Sequence, residues 1–156
     1  MSLEFKMLEM LRNSGVPFVI VGGLAVAYHG YVRATEDVDV VWLRSTETER
    51  PMFKALERLC AHCISKEIDP DTGIERTYWI TEAFVRSSHV MMLDTKYGFL
   101  DLYDFIPGFP AEDVRQLLDS SVEAEGYRFA SLKWLRKMKK AAGRTKDLLD
   151  LENLPG

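Results

Sequence analysis

Asp37 and Asp39 stand one residue apart in a stretch, Val38 to Leu43, that is otherwise rich in β-branched and aromatic side chains. Side chains alternate across a strand, so the two carboxylates share one face while Val38 and Val40 take the other. Two adjacent carboxylates repel, and one of them keeps a proton unless a cation is shared between them. A divalent metal settles that conflict, and Mg²⁺ in particular binds through one or two carboxylates together with substrate phosphates. The same part of the chain offers the phosphates a place. Gly22-Gly23 follows the apolar run Phe18 to Val21, and a glycine pair lets backbone approach an anion while the helix behind it presents free N–H groups. A glycine pair alone is usually a turn; followed by a helix and then by Asp-x-Asp it is far more specific.

A third carboxylate would allow a two-metal site, one ion activating the attacking oxygen and the other holding the leaving phosphate. Asp101 is the candidate, in the extended stretch Phe99 to Phe105, where Asp101, Tyr103 and Phe105 share a face and Asp104 takes the other. The plainer alternative is an aspartate on the solvent side of an edge strand. The catalytic reading is preferred because antiparallel neighbours can bring Asp101 within reach of Asp37 and Asp39.

Charge is unevenly spread. Lys133, Arg136, Lys137, Lys139, Lys140, Arg144 and Lys146 follow Ser131 with no acidic residue among them. On a helical wheel of about 100° per residue, Leu132, Leu135, Met138 and Ala142 cluster, and Lys139 falls inside that apolar stripe. Asp147 lies in the same way on the stripe of Leu148, Leu151 and Leu154, with Asp150 at its margin. An inward lysine is costly unless it is paired or meets a ligand. Two readings stay open: a structural Lys139–Asp147 bridge, or a cleft lining with Lys139 on phosphate oxygens and Lys146 beside it. Arg33 and Thr35, in the loop before the aspartates, are candidate phosphate or acceptor contacts. His29, His89, Tyr78, Trp79 and Trp134 read as packing or rim residues.

The elements that would hold these residues are legible. Phe5 to Leu11 has helical spacing; Pro17 to Val21 reads as a strand, Leu24 to His29 as a short helix, Val38 to Leu43 as a second strand and Glu47 to Cys63 as a helix. Asp69 to Gly73 is a turn, and Tyr78 to Arg86 is ambiguous. His89 to Leu93 with Phe99 to Ile106 forms a hairpin. Glu112 to Leu118 suggests a helix, Val122 to Phe129 a short hairpin, Ser131 an N-cap for a helix to Ala142, and Lys146 to Leu154 a last helix. Cys60 and Cys63, the only cysteines, lack the second ligand pair a zinc site needs and read as two thiols on the tail of a helix.

The fold class expected is α/β of the α+β kind: a twisted mixed sheet flanked by helices. The 156 residues suit a single domain, with a core over about 16–110 and a helical part over about 111–154. No apolar run approaches the roughly 18 residues of a membrane span, so a cytoplasmic protein is expected. A net charge of −4 argues against bulk coating of nucleic acid, although a local basic face stays compatible with an RNA partner.

The residues also resemble a family. Residues 21–30 (VGGLAVAYHG), 33–39 (RATEDVD) and 99–102 (FLDL) resemble the polymerase-beta-like nucleotidyltransferase superfamily, and 139–154 (KKAAGRTKDLLDLENL) resembles its small bacterial branch that includes toxins of toxin-antitoxin systems. The resemblance implies a nucleotidyltransferase-like fold with C-terminal helices and a nucleoside triphosphate such as ATP as donor, with Mg²⁺ or Mn²⁺. It implies nucleotidyl transfer to a hydroxyl acceptor, whether a tRNA end, a protein or a small molecule such as an aminoglycoside. Asp37 and Asp39 would be metal ligands, Asp101 the third carboxylate, and Gly22 and Gly23 would hold the triphosphate. An antitoxin would be a partner. The rival reading is a module that keeps the fold for nucleotide or antitoxin binding and has lost turnover.

Overall fold

A computed structural model describes residues 1–156. Its elements, in order, are α1 (Leu3–Asn13), β1 (Phe18–Val21), α2 (Gly22–Tyr28), β2 (Asp37–Trp42), α3 (Glu49–Arg58), β3 (His62–Ile68), β4 (Glu75–Trp79), α4 (Glu82–Ser87), β5 (Val90–Thr95), β6 (Gly98–Tyr103), α5 (Val114–Asp119), β7 (Val122–Ala124), β8 (Tyr127–Phe129), α6 (Leu132–Ala142) and α7 (Thr145–Asn153). Eight strands, one pair parallel and the others described antiparallel, together with seven helices make a mixed α+β fold. The chain packs as two compact units, Met1–Val16 with Arg44–Leu102, and Pro17–Leu43 with Tyr103–Gly156. No helix is long and apolar enough to cross a membrane.

In the first unit the strands run in the order β4-β3-β5-β6. Helix α1 starts at Ser2, whose hydroxyl accepts from the Phe5 amide, and buries Met7, Leu8 and Leu11 at helical spacing. The helix expected to reach Cys63 ends at Arg58 instead. Leu59 closes it, Cys60 turns through a left-handed φ of 54°, and the chain re-emerges as β3. Cys60 and Cys63 therefore flank a helix-to-strand turn, both thiols free. The ambiguous stretch divides into β4, which pairs His62 with Trp79 and Cys63 with Tyr78, and α4, capped by the Thr81 hydroxyl. The expected turn at Asp69 to Gly73 joins β3 and β4 into a hairpin whose strands the local spacing does not show.

In the second unit the order is β2-β1-β8-β7. β1 pairs antiparallel with β2, Val21 opposite Asp39 and Phe18 opposite Trp42, and parallel with β8 at Ile20 and Phe129. Val19, Val21 and Val41 pack with Ile106, Leu117, Trp134 and Met138 into one apolar core. Ser131 caps α6 through the Trp134 amide, and Gly143, at φ 63°, ends it in the left-handed conformation that glycine adopts without strain.

Candidate active site

The strand geometry places Asp37 and Asp39 as the alternation requires: both half-buried, with Val38 and Val40 buried on the opposite face of β2. α2 begins at Gly22 itself, so the glycine pair forms the first two helical residues instead of a break between strand and helix. Gly22 has φ 65°, and a side chain there would collide with the Asp39 carboxylate, its Cβ falling 2.9 Å from both the Cβ and Cγ of Asp39. Only glycine allows this approach. Because the collision involves the aspartate's own Cβ, a rotamer change cannot relieve it. Backbone and carboxylate are thus in direct contact at the point where β1 turns into α2.

Gly23 serves a different need. A Cβ on it would meet the Thr35 methyl, would stand 3.1 Å from Thr35 Cβ, and would lie 3.4 Å from Arg33 Nη1. The space this glycine leaves open is filled by the loop that leads into β2. His29, at the end of α2, has its Nε2 2.8 Å from the Ala130 carbonyl oxygen, tying α2 to the end of β8.

Lys139, Asp147, Arg33 and the unexpected Asp150 and Arg144 form one ion network. Lys139 Nζ lies 3.2 Å from Asp147 Oδ1 and 2.9 Å from Asp150 Oδ2. Asp150 receives Arg33 as a fork, Nε at 2.7 Å and Nη2 at 2.8 Å. Arg144 donates to Asp147 from its backbone N–H at 3.1 Å and from Nε at 2.7 Å, closing the first turn of α7. Both aspartates are fully buried, while Leu148 and Leu149 are about half exposed. The last helix therefore turns its carboxylates inward and two of its leucines outward, correcting the expected placement of Leu148 on the inner stripe. Burial pushes both carboxyl groups up, but the hydrogen bonds they accept outweigh it, from Arg144 and Lys139 at Asp147 and from Arg33 and Lys139 at Asp150. Both end below the ordinary carboxylate value. Arg144 is raised by its hydrogen bond to Asp147, opposed by burial, with further contributions from the charges of Asp147, Tyr103 and Asp39.

Asp101 lies on β6, half-buried, with Leu100 and Leu102 buried on the opposite face; it belongs to the first unit, and Asp37 and Asp39 belong to the second. Lys146 is exposed on α7. No group of three or more His, Cys, Asp or Glu side chains stands ready to hold a metal by itself. Two adjacent hard carboxylates beside a glycine that admits close backbone approach suit Mg²⁺, which needs few protein ligands when phosphate oxygens supply the others.

Among solved structures the chain is similar to the antibiotic-resistance factor ANT(2'')-Ia in solution, at 17% identity and a TM-score of 0.59, over 96% of this chain and 79% of that one. It is similar to ANT(2'')-Ia in complex with adenylyl-2''-tobramycin, at 17% identity and a TM-score of 0.57, over 96% and 84%. An antigenic nucleotidyltransferase-like protein from Paracoccidioides brasiliensis aligns at 16% identity and a TM-score of 0.51, over 96% and 70%. The chain has their fold. No protein-family model and no curated protein sequence matches it. The sequence reading missed Asp150 and Arg144 as members of the network. The signal was present in the spacing: Asp147 and Asp150 are three residues apart, on one helical face, opposite an inward lysine.

Proposed function

We propose that the protein is a Mg²⁺-dependent nucleotidyltransferase that moves a nucleoside monophosphate from a nucleoside triphosphate to a hydroxyl acceptor. The observation that carries this reading is the contact between Gly22 and the Asp39 carboxylate, with Asp37 on the same face of the strand. It supports the reading because backbone at the β1–α2 turn and the carboxylate of Asp39 meet at close range, with a second carboxylate on the same strand face.

In this reading Asp37 and Asp39 hold Mg²⁺, or Mn²⁺, and a third carboxylate, for which the sequence offers Asp101, serves as ligand or as base for the acceptor hydroxyl. The metal, when bound, supplies charge neutralisation of the triphosphate and of the transferring phosphoryl group. The backbone at Gly22 and Gly23 receives the triphosphate, and Thr35, packed on Gly23, fixes that backbone. An acceptor oxygen in line with the α-phosphorus forms the new P–O bond as the bond to the bridging oxygen breaks and pyrophosphate leaves; the acceptor proton passes to the carboxylate base. Buried between two aspartates, Lys139 acts on the site through the network, not on phosphate directly.

A similar structure is a complex with an adenylylated aminoglycoside, which supports a small polyhydroxyl acceptor as one arm. The basic stretch along α6 supports RNA as another, and the resemblance of residues 139–154 supports a toxin role with an antitoxin partner. The test is incorporation from each of the four α-labelled triphosphates, with Mg²⁺, into total RNA, total protein or an aminoglycoside. Wild type is expected to label one acceptor class, and Asp39→Ala and chelated wild type none. Equal labelling by wild type and Asp39→Ala, independent of metal, refutes the reading; nucleotide binding without turnover in every arm leaves the binding module in its place.

A further inference from the structure

Asp150, on the last helix, reaches the loop that delivers the two candidate metal-binding aspartates. Both of its oxygens are used: Oδ1 accepts from Arg33 Nε at 2.7 Å, and Oδ2 accepts from Arg33 Nη2 at 2.8 Å and from Lys139 at 2.9 Å. Such a fork fixes the direction of a guanidinium as well as its charge. The remaining arm, Nη1, donates to the Ala34 carbonyl at 3.1 Å and lies 3.4 Å from where a side chain on Gly23 would begin. A continuous chain of contacts therefore runs from α7 through Arg33 to Gly23 and to Ala34, three residues before Asp37.

Besides this fork, the loop is held by the Tyr31 N–H, which donates to the Val26 carbonyl at 3.2 Å, and by Thr35 packed against Gly23. Residues 29–36 lie outside helix and strand, and Val32, Ala34 and Glu36 are exposed. Stability alone gives no reason for an ionic clamp, because replacing a buried ion pair by well-packed apolar residues is often neutral or stabilising. α7 has leucines available for that purpose at 148 and 149 and turns them outward. What the fork supplies is direction.

We propose that Asp150 is a positioning residue for nucleotidyl transfer: by gripping Arg33 it holds the 31–36 loop on Gly23 and fixes where Asp37 and Asp39 emerge, so that α7 forms part of the frame of the site. This rests on the reading of Asp37 and Asp39 given above. Charge near the loop is not sufficient on this account; the bidentate geometry is required, and lysine in place of Arg33 does not replace it.

The test compares wild type with Asp150→Asn, Arg33→Gln and Arg33→Lys, well below each unfolding midpoint, by amide hydrogen exchange and by steady-state labelling with the acceptor found above. In all three variants residues 31–36 are expected to exchange at least about tenfold faster while the interior of α6 keeps its protection. Turnover is expected to fall on the order of 10–100-fold, as for a misplacement of about 1 Å, with KM for the triphosphate moving less than about threefold. Unchanged exchange over 31–36, or an Arg33→Lys enzyme with wild-type turnover, overturns the proposal. If Asp150→Asn fails to fold, the two Arg33 variants decide, since they leave Asp150 paired with Lys139. Hydrogen exchange needs no turnover, so a wild type that labels nothing refutes the activity and leaves the clamp to be judged on exchange alone.

Discussion

Replacing Lys139 by methionine tests the physics of the network most directly. The ammonium is the only cation that touches both Asp147 and Asp150, at 3.2 and 2.9 Å, and both carboxylates are fully buried. Removing one partner of a buried pair costs roughly 3–5 kcal/mol, because the charge left behind is uncompensated. Here each carboxylate keeps an arginine, Arg33 at Asp150 and the largely exposed Arg144 at Asp147, which argues for the lower end, about 3 kcal/mol. For a chain of this size that corresponds to a drop of roughly 6–12 °C in the unfolding midpoint. The assay is urea and thermal unfolding followed by circular dichroism at neutral pH, with Lys133→Met as control: Lys133 is exposed on the same helix and should cost less than about 0.5 kcal/mol. The difference between Lys139→Met and wild type should shrink as pH falls below about 4 through the depressed folded values of the two carboxyl groups, where they take up protons and no longer need the cation. A loss no larger than that of Lys133→Met, or one independent of pH, refutes the argument that the ammonium compensates two buried charges.

The other expectations follow from the same geometry. Gly22→Ala forces a Cβ against Asp39 at a positive φ, a backbone penalty of about 1–2 kcal/mol before any steric cost; labelling should disappear, and labelling at wild-type rate would show that the glycine contact is dispensable. Gly23→Ala should be rescued in part by Thr35→Ser, which removes the methyl that the new Cβ would meet; strictly additive stability losses in a double-mutant cycle would show that the two residues do not share that space. Asp147 and Asp150 are depressed below their unfolded values, so the stability they contribute is complete above about pH 4 and is lost as pH falls through their folded values. Acid titration of unfolding should be steeper there for wild type than for Asp150→Asn, and equal slopes would show that Asp150 titrates as it does in the unfolded chain.

Local rules carried far into this fold. The cap at Ser131, the stop at Gly143 and the alternation that pairs Asp37 with Asp39 all follow from neighbouring residue types, and the structure has each of them. The errors lie where long-range pairing overrides periodicity. The apolar spacing from Met52 to Cys63 continues a helical pattern, yet the chain turns at Cys60 because His62 and Cys63 pair with Trp79 and Tyr78 in a hairpin that single-chain spacing does not show. The candidate site was visible to the extent that its parts are close in sequence. Gly22, Asp37 and Asp39 are near neighbours along the chain; the Arg33–Asp150 fork joins residues separated by 117 positions.

The last helix shows why such a partner escapes a hydropathy reading. Periodicity asks which side chains avoid water, and on α7 it selects Leu148 as readily as Leu151 and Leu154. The structure buries Asp147, Asp150 and Leu154 and leaves Leu148 exposed, because Lys139 already sits inside the apolar stripe of α6 and its charge must be met from the facing helix. One inward lysine thus dictates the orientation of its neighbour, and that orientation in turn sends Asp150 toward Arg33. A charge placed where the pattern calls for leucine is therefore the most informative residue of its helix: the cost of burying it unpaired fixes which carboxylates must face it, and hence which loop those carboxylates can hold.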